Sequence, residues 1–144
     1  MVPNQYDEFN GAAAIDGNTA ILSDQDYSVG SIKIFSESNG VWSVDQIVNN
    51  PDTNTIAFGF FDVDLSGDYA IVSADNTAFF LKKDSGSGIW NVQQQVFHDN
   101  PSSYTLFGRD VKIDGDIAIV SAERDSELNS NVGAVFVYKR DSNE

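Results

Sequence analysis

Apolar and polar side chains alternate with a period of two along most of this chain, in short runs broken by Gly, Asn, Asp and Ser. Asp110-Val111-Lys112-Ile113 and Ile117-Ala118-Ile119-Val120-Ser121 flank one such break. Ser31-Ile32-Lys33-Ile34-Phe35, Ala78-Phe79-Phe80-Leu81 and Ala134-Val135-Phe136-Val137-Tyr138 are further runs. β-Branched and aromatic residues at this spacing predict strands, because successive side chains of a strand point to opposite faces. No stretch carries the 3.6-residue apolar period over the length that a helix needs.

The runs recur as a unit. Ile15-Asp16-Gly17-Asn18-Thr19-Ala20-Ile21-Leu22 returns as Leu65-Ser66-Gly67-Asp68-Tyr69-Ala70-Ile71-Val72, and again as Ile113-Asp114-Gly115-Asp116-Ile117-Ala118-Ile119-Val120, with starts 50 and 48 residues apart. Trp42-Ser43-Val44 and Trp90-Asn91-Val92 lie 48 apart. Phe58-Gly59 and Phe107-Gly108 precede the later copies, and Phe9-Asn10-Gly11 precedes the first. Each unit reads as four strands. Strand a ends at the Asp-Gly or Ser-Gly hairpin signal, strand b follows it, and strand c is the aromatic run. Strand d runs over 42–48 and 90–97. Four short antiparallel strands at a period near 48 define a β-propeller blade. The expectation is an all-β chain, one repeat domain over 1–144. Blade 1 covers about 9–48, blade 2 about 58–97, and blade 3 about 107–140 without its strand d. Propellers close with about four or more blades. The chain is therefore expected to belong to a larger propeller or to assemble, with the strand c edge of blade 3 open to another chain.

Composition narrows the function classes. Eight basic and 22 acidic residues give a net charge of −14, which repels a phosphate backbone, so nucleic acid is not an expected partner. Zero Cys and one His exclude disulfides, zinc fingers, thiol nucleophiles and any site needing two imidazoles. No run approaches the roughly 18 apolar residues of a membrane span. The opening residues 1–8 lack the basic and apolar regions of a signal peptide.

The order Phe-Gly, Gly-Asp, Ala-Ile-Val-Ser-Ala, Gly-Ala-Val-Phe-Val-Tyr is fullest in blade 3, at 107–108, 115–116, 118–122 and 133–138. Blade 2 carries its first three parts at 58–59, 67–68 and 70–74. This pattern resembles the FG-GAP repeat of integrin-α-type β-propellers. The resemblance implies a non-enzymatic structural, adhesive or protein-interaction module of an extracellular or cell-surface protein. A lectin-like, glycan-binding propeller is the alternative. Two departures stand out. The family's Gly-Ala-Pro is Ser73-Ala74-Asp75 and Ser121-Ala122-Glu123 here. Its long calcium loop between strands a and b is a tight Asp-Gly hairpin in blades 1 and 3.

Alternating strand direction puts the d–a and b–c loops on one face. Variable loops on a repeat scaffold are where binding concentrates, and these carry Asp24, Asp26, Tyr27, Asp52, Asp75, Asp99, Tyr104, Glu123, Arg124 and Asp125. They are the candidate ligand face. Asp62, Asp64, Ser66 and Asp68 form the one metal-like string. Oxygen ligands at alternate positions, with Gly67 sixth, imitate the opening of a calcium loop. His98 stands beside a turn with no G-x-S-x-G in the chain, and is expected to be solvated. Trp42 and Trp90, at equivalent positions, are expected to pack between blades. Lys82-Lys83 and Lys139-Arg140 are expected to be solvated strand ends.

Overall fold

Residues 11–24, 28–100, 105–125 and 132–141 are described by the computed structural model of the chain, and all regular structure among them is β. Blade 1 consists of β1 (Ala13–Asp16), β2 (Thr19–Asp24), β3 (Ser31–Ser38) and β4 (Val41–Asn49). Blade 2 consists of β5 (Val63–Ser66), β6 (Tyr69–Ala74), β7 (Thr77–Lys83) and β8 (Trp90–Phe97). Blade 3 has β9 (Phe107–Asp114), β10 (Ile117–Ala122) and β11 (Ala134–Lys139). Every pairing is antiparallel between chain neighbours, so each blade is a meander. Among the described residues the three sheets do not close a ring.

Local chemistry sets the turns. The a–b loops are two residues long, and Gly17, Gly67 and Gly115 take the first place with φ of 54°, 57° and 55°. A left-handed first residue matches the twist of the flanking strands, and Gly accepts it without a Cβ penalty. The Asp or Ser before each Gly closes strand a rather than opening the turn. In blade 3 the first strand begins at Phe107, earlier than the apolar alternation implies, because Phe107 pairs with Ala122 across a bulge.

Blade stacking makes the core. The front of blade 1 (Ile21, Ile32, Ile34) packs on the back of blade 2 (Val63, Val72, Phe79, Leu81, Trp90). The front of blade 2 (Ile71, Ala78, Val96) packs on the back of blade 3 (Phe107, Val111, Val120, Phe136). In each seam the Phe of the Phe-Gly pair meets the Phe of strand c edge-on. Phe58–Phe79 and Phe107–Phe136 both have ring centroids 5.2 Å apart. Blade 2, covered on both faces, buries β6 almost throughout, whereas β10 and β11 of blade 3 alternate between buried or half-buried and exposed. That alternation marks a sheet with one uncovered face.

Both ends of the stack expose apolar side chains. On the front of blade 3, Ile117, Ile119, Val135 and Val137 are exposed, at 40, 39, 62 and 67%. Register places Ile119 at the position of the fully buried Ile21 and Ile71. On the back of blade 1, Lys33 stands where Phe79 and Phe136 stand, and Asp24 stands where Ala74 and Ala122 stand. The back of blade 1 thus carries two polar replacements, but Ile15, Val44 and Ile47 on the same face are exposed at 66, 49 and 55%.

Candidate functional site

The acidic string of β5 faces a neighbouring blade. Asp62 Oδ2 accepts the Val111 N–H at 3.1 Å and Lys112 Nζ at 3.0 Å. Asp64 Oδ2 accepts the Ile113 N–H at 2.9 Å, and Ser66 Oγ accepts the Gly115 N–H at 3.1 Å. Side chains at i, i+2 and i+4 share one side of a strand, and here that side meets the free edge of β9. The oxygens are distributed along a ladder, each to its own backbone donor. Asp16 Oδ2 makes the corresponding bond to the Gly67 N–H at 2.7 Å between blades 1 and 2. Asp68 lies in the turn, and its carbonyl accepts the Lys83 N–H at 2.8 Å. Among the described residues, no group of three or more His, Asp or Glu converges to hold a metal ion.

The d–a and b–c loops do lie together. The Asp75 N–H donates to the Ile56 carbonyl at 3.0 Å, the Arg124 N–H to that of Thr105 at 2.9 Å, and Asn50 Nδ2 to that of Val29 at 3.0 Å. Within this surface Asp52 is engaged. Its Oδ2 accepts Gln95 Nε2 at 3.0 Å, and its Oδ1 accepts the Asn54 N–H at 2.9 Å. The Gln95 bond, then the Asn54 N–H, hold its carboxyl below the usual carboxylate value. Asp24, Asp99, Glu123 and Arg124 are exposed, and Asp75 is half-buried. Asp26, Tyr27 and Tyr104 lie outside the described residues.

Two expectations are corrected on this face. His98 is buried rather than solvated, and Asp125 is buried rather than presented to a ligand, at 5 and 3% exposure. The Asn100 N–H donates to His98 Nδ1 at 2.9 Å, so Nε2 carries the hydrogen and gives it to Asp125 Oδ2 at 2.6 Å. The rings of Phe107 and Phe136 close on the imidazole edge-on, with centroids 5.9 and 5.1 Å away. The pair ties the d–a loop of blade 3 to its b–c loop through a buried hydrogen bond. No local pattern announces it, since the partners are 27 residues apart.

Trp90 is buried in the seam between blades 1 and 2, and Trp42 is half-buried. The strand-end cations are engaged rather than merely solvated. The Arg140 guanidinium stacks on the Tyr69 ring at 3.6 Å and pairs with Asp116, and Lys82 Nζ lies 5.4 Å from the same ring. Beside them, burial raises the Tyr138 phenol above its ordinary value, and the charge of Asp99 adds to the effect. Sequence reading missed a further contact. Gln46 of β4 holds both backbone groups of Trp90, and both distances are 2.8 Å. The signal lay in the repeat itself, as Gln46 and Gln94 each stand four places after a Trp.

Antiparallel meanders stacked face to face at a 48-residue period are β-propeller blades. Residues 90–138 match the family described as FG-GAP repeat, and this stretch of the chain is an FG-GAP repeat. No curated protein matches the chain. The matched unit is offset from the sheets by one strand: it starts with β8 of blade 2 and runs into β11 of blade 3. No helix among the described residues is long and apolar enough to cross a membrane.

Proposed function

We propose that the chain is a non-enzymatic structural or adhesive module of an extracellular or cell-surface propeller protein, acting by docking other polypeptide onto blade 3. The observation that carries this reading is the exposed front of that blade. At Ile119, Val135 and Val137 it repeats the apolar positions that blades 1 and 2 use to bury their neighbours, held there by Ile21, Ile32 and Ile34 and by Ile71, Ala78 and Phe80. Covering an Ile or Val side chain fully is worth about 1.5–3 kcal/mol, so four such residues supply a strong drive to associate. The FG-GAP repeat supports a propeller-type interaction module, and such repeats are typical of extracellular proteins. The buried state of Trp90 weighs against the glycan-binding alternative, because a buried indole offers no stacking face to a sugar.

Native mass spectrometry tests the reading. The chain is expected to form oligomers whose population rises with concentration, and Ile119→Lys with Val137→Lys is expected to abolish them while leaving the strand signal in circular dichroism unchanged. A chain that stays monomeric at every concentration would overturn the front of blade 3 as an assembly surface.

A further inference from the structure

The outer hairpin of blade 1 turns at Asn39-Gly40, closed by the Ser38–Val41 pair of β3 and β4. Asn39 and Gly40 take φ of 53° and 79°, the mirror-image turn that an Asn-Gly pair favours. Both residues are exposed. A Cβ built on Gly40 meets no atom within 4 Å, so nothing packs on the turn and its backbone has room to rotate.

Two side chains at the end of β3 address this turn. The Gly40 N–H donates to Oε1 of the half-buried Glu37. Asn39 Nδ2 donates to Ser38 Oγ at 3.4 Å. The Gly40 nitrogen can close a five-membered ring on Cγ of Asn39, and to do so it must lose its hydrogen. The Glu37 carboxylate already sits on that hydrogen, which is the geometric condition for a general base.

Two other steps among the described residues pair an acidic or amide side chain with a following Gly, at Asp16-Gly17 and Asp114-Gly115. Both carry a carboxylate with no amine to expel. Neighbouring blades also occupy one reacting group in each. Asp16 Oδ2 accepts the Gly67 N–H at 2.7 Å, and the Gly115 N–H is given to Ser66 Oγ at 3.1 Å. The Asn39-Gly40 turn has an amide, an open backbone and a base together.

We propose that Asn39 is a self-modification site, converted with water into an aspartyl or isoaspartyl residue with release of ammonia. The Gly40 nitrogen bonds to Asn39 Cγ as Glu37 takes the N–H proton. The Cγ–Nδ2 bond then breaks, and Nδ2 leaves as ammonia carrying that proton. Water adds to either carbonyl of the cyclic imide and breaks its C–N bond, which gives the two products. Each product adds a negative charge beside Glu37. The isoaspartyl product also lengthens, by one carbon, the turn that sets the β3–β4 register. β4 carries Gln46, whose amide holds both backbone groups of Trp90, so the change acts on a strand that joins two blades.

The test is peptide mapping by mass spectrometry after incubation of the whole chain at neutral pH in heavy-oxygen water. The peptide that contains position 39 is expected to exchange its amide for a carboxyl, take up one heavy oxygen and split into two chromatographic forms. Asp114-Gly115 is expected to stay unisomerised in the same samples. Glu37→Gln keeps an acceptor oxygen for the Gly40 N–H but cannot hold its proton. It is expected to slow conversion about tenfold or more, with the strand signal in circular dichroism unchanged. Asn39→Gln, which would need a six-membered ring, is expected to remove the signal. An Asn39 still intact after a month at physiological temperature overturns the proposal, and so does a Glu37→Gln chain that converts as fast as the parent.

Discussion

The hydroxyl near the end of strand b makes the same bond in every blade. Ser23, Ser73 and Ser121 accept the N–H of Ala12, Asp62 and Asp110, each eleven residues earlier, at 2.8, 2.7 and 3.0 Å. Their surroundings differ. Ser73 is fully buried, while Ser121 is half-buried and Asp110 is exposed. Removing the hydroxyl leaves a sheltered N–H unpaired in blade 2, whereas water can replace it in blade 3. Ser73→Ala is therefore expected to cost about 1–3 kcal/mol in urea unfolding, and Ser121→Ala about 1 kcal/mol or less. Equal losses would remove burial as the cause. The recurrence of these serines is visible in the sequence, but their acceptor role becomes visible only with strand register. Asp62, Asp64 and Ser66 teach the same lesson. Their alternation was legible, while the donors they serve are backbone groups 49 residues on, which carry no sequence signature.

At the scale of elements, the Phe-Gly pair acts as a joint. Phe107 fills the seam, and Gly108 lets the chain pass close to blade 2. Gly108 has φ of 86°, and a Cβ there would overlap the carbonyl oxygen of Thr77. Backbone on one side and a left-handed conformation on the other leave no cheap relief. Gly108→Ala is expected to lower stability by about 3 kcal/mol or more, seen as a fall in the thermal midpoint. A change near the roughly 1 kcal/mol typical of ordinary substitutions would mean the seam can open to admit a methyl. Strand order and hairpins were readable from the sequence because period-two alternation and turn glycines are local. The His98–Asp125 tie was not readable, because it joins two loops of irregular sequence.

At the scale of the whole molecule, attraction and repulsion are set against each other. The front of blade 3 favours association, while a net charge of −14 on 144 residues opposes the approach of two copies. Screening shortens that repulsion to about 10 Å at 0.1 M salt and leaves apolar burial intact. Sedimentation velocity is expected to show oligomer growing as sodium chloride rises from about 0.02 to 0.3 M. Dissociation over that range would assign the contact to ion pairs instead.

The one-strand offset between the family unit and the sheets has its own consequence. A copy of residues 90–138 inserted in tandem begins with the outer strand of the sheet before it and ends one strand short of finishing its own. Each added copy therefore completes its predecessor and leaves the same unfinished edge behind. The joints are staggered like courses of brick, and every junction between copies is bridged by a hydrogen-bonded ladder rather than by a loop alone. A gene that lengthens in such steps keeps each new blade stitched to the last, and the opening that receives the next strand is inherited unchanged.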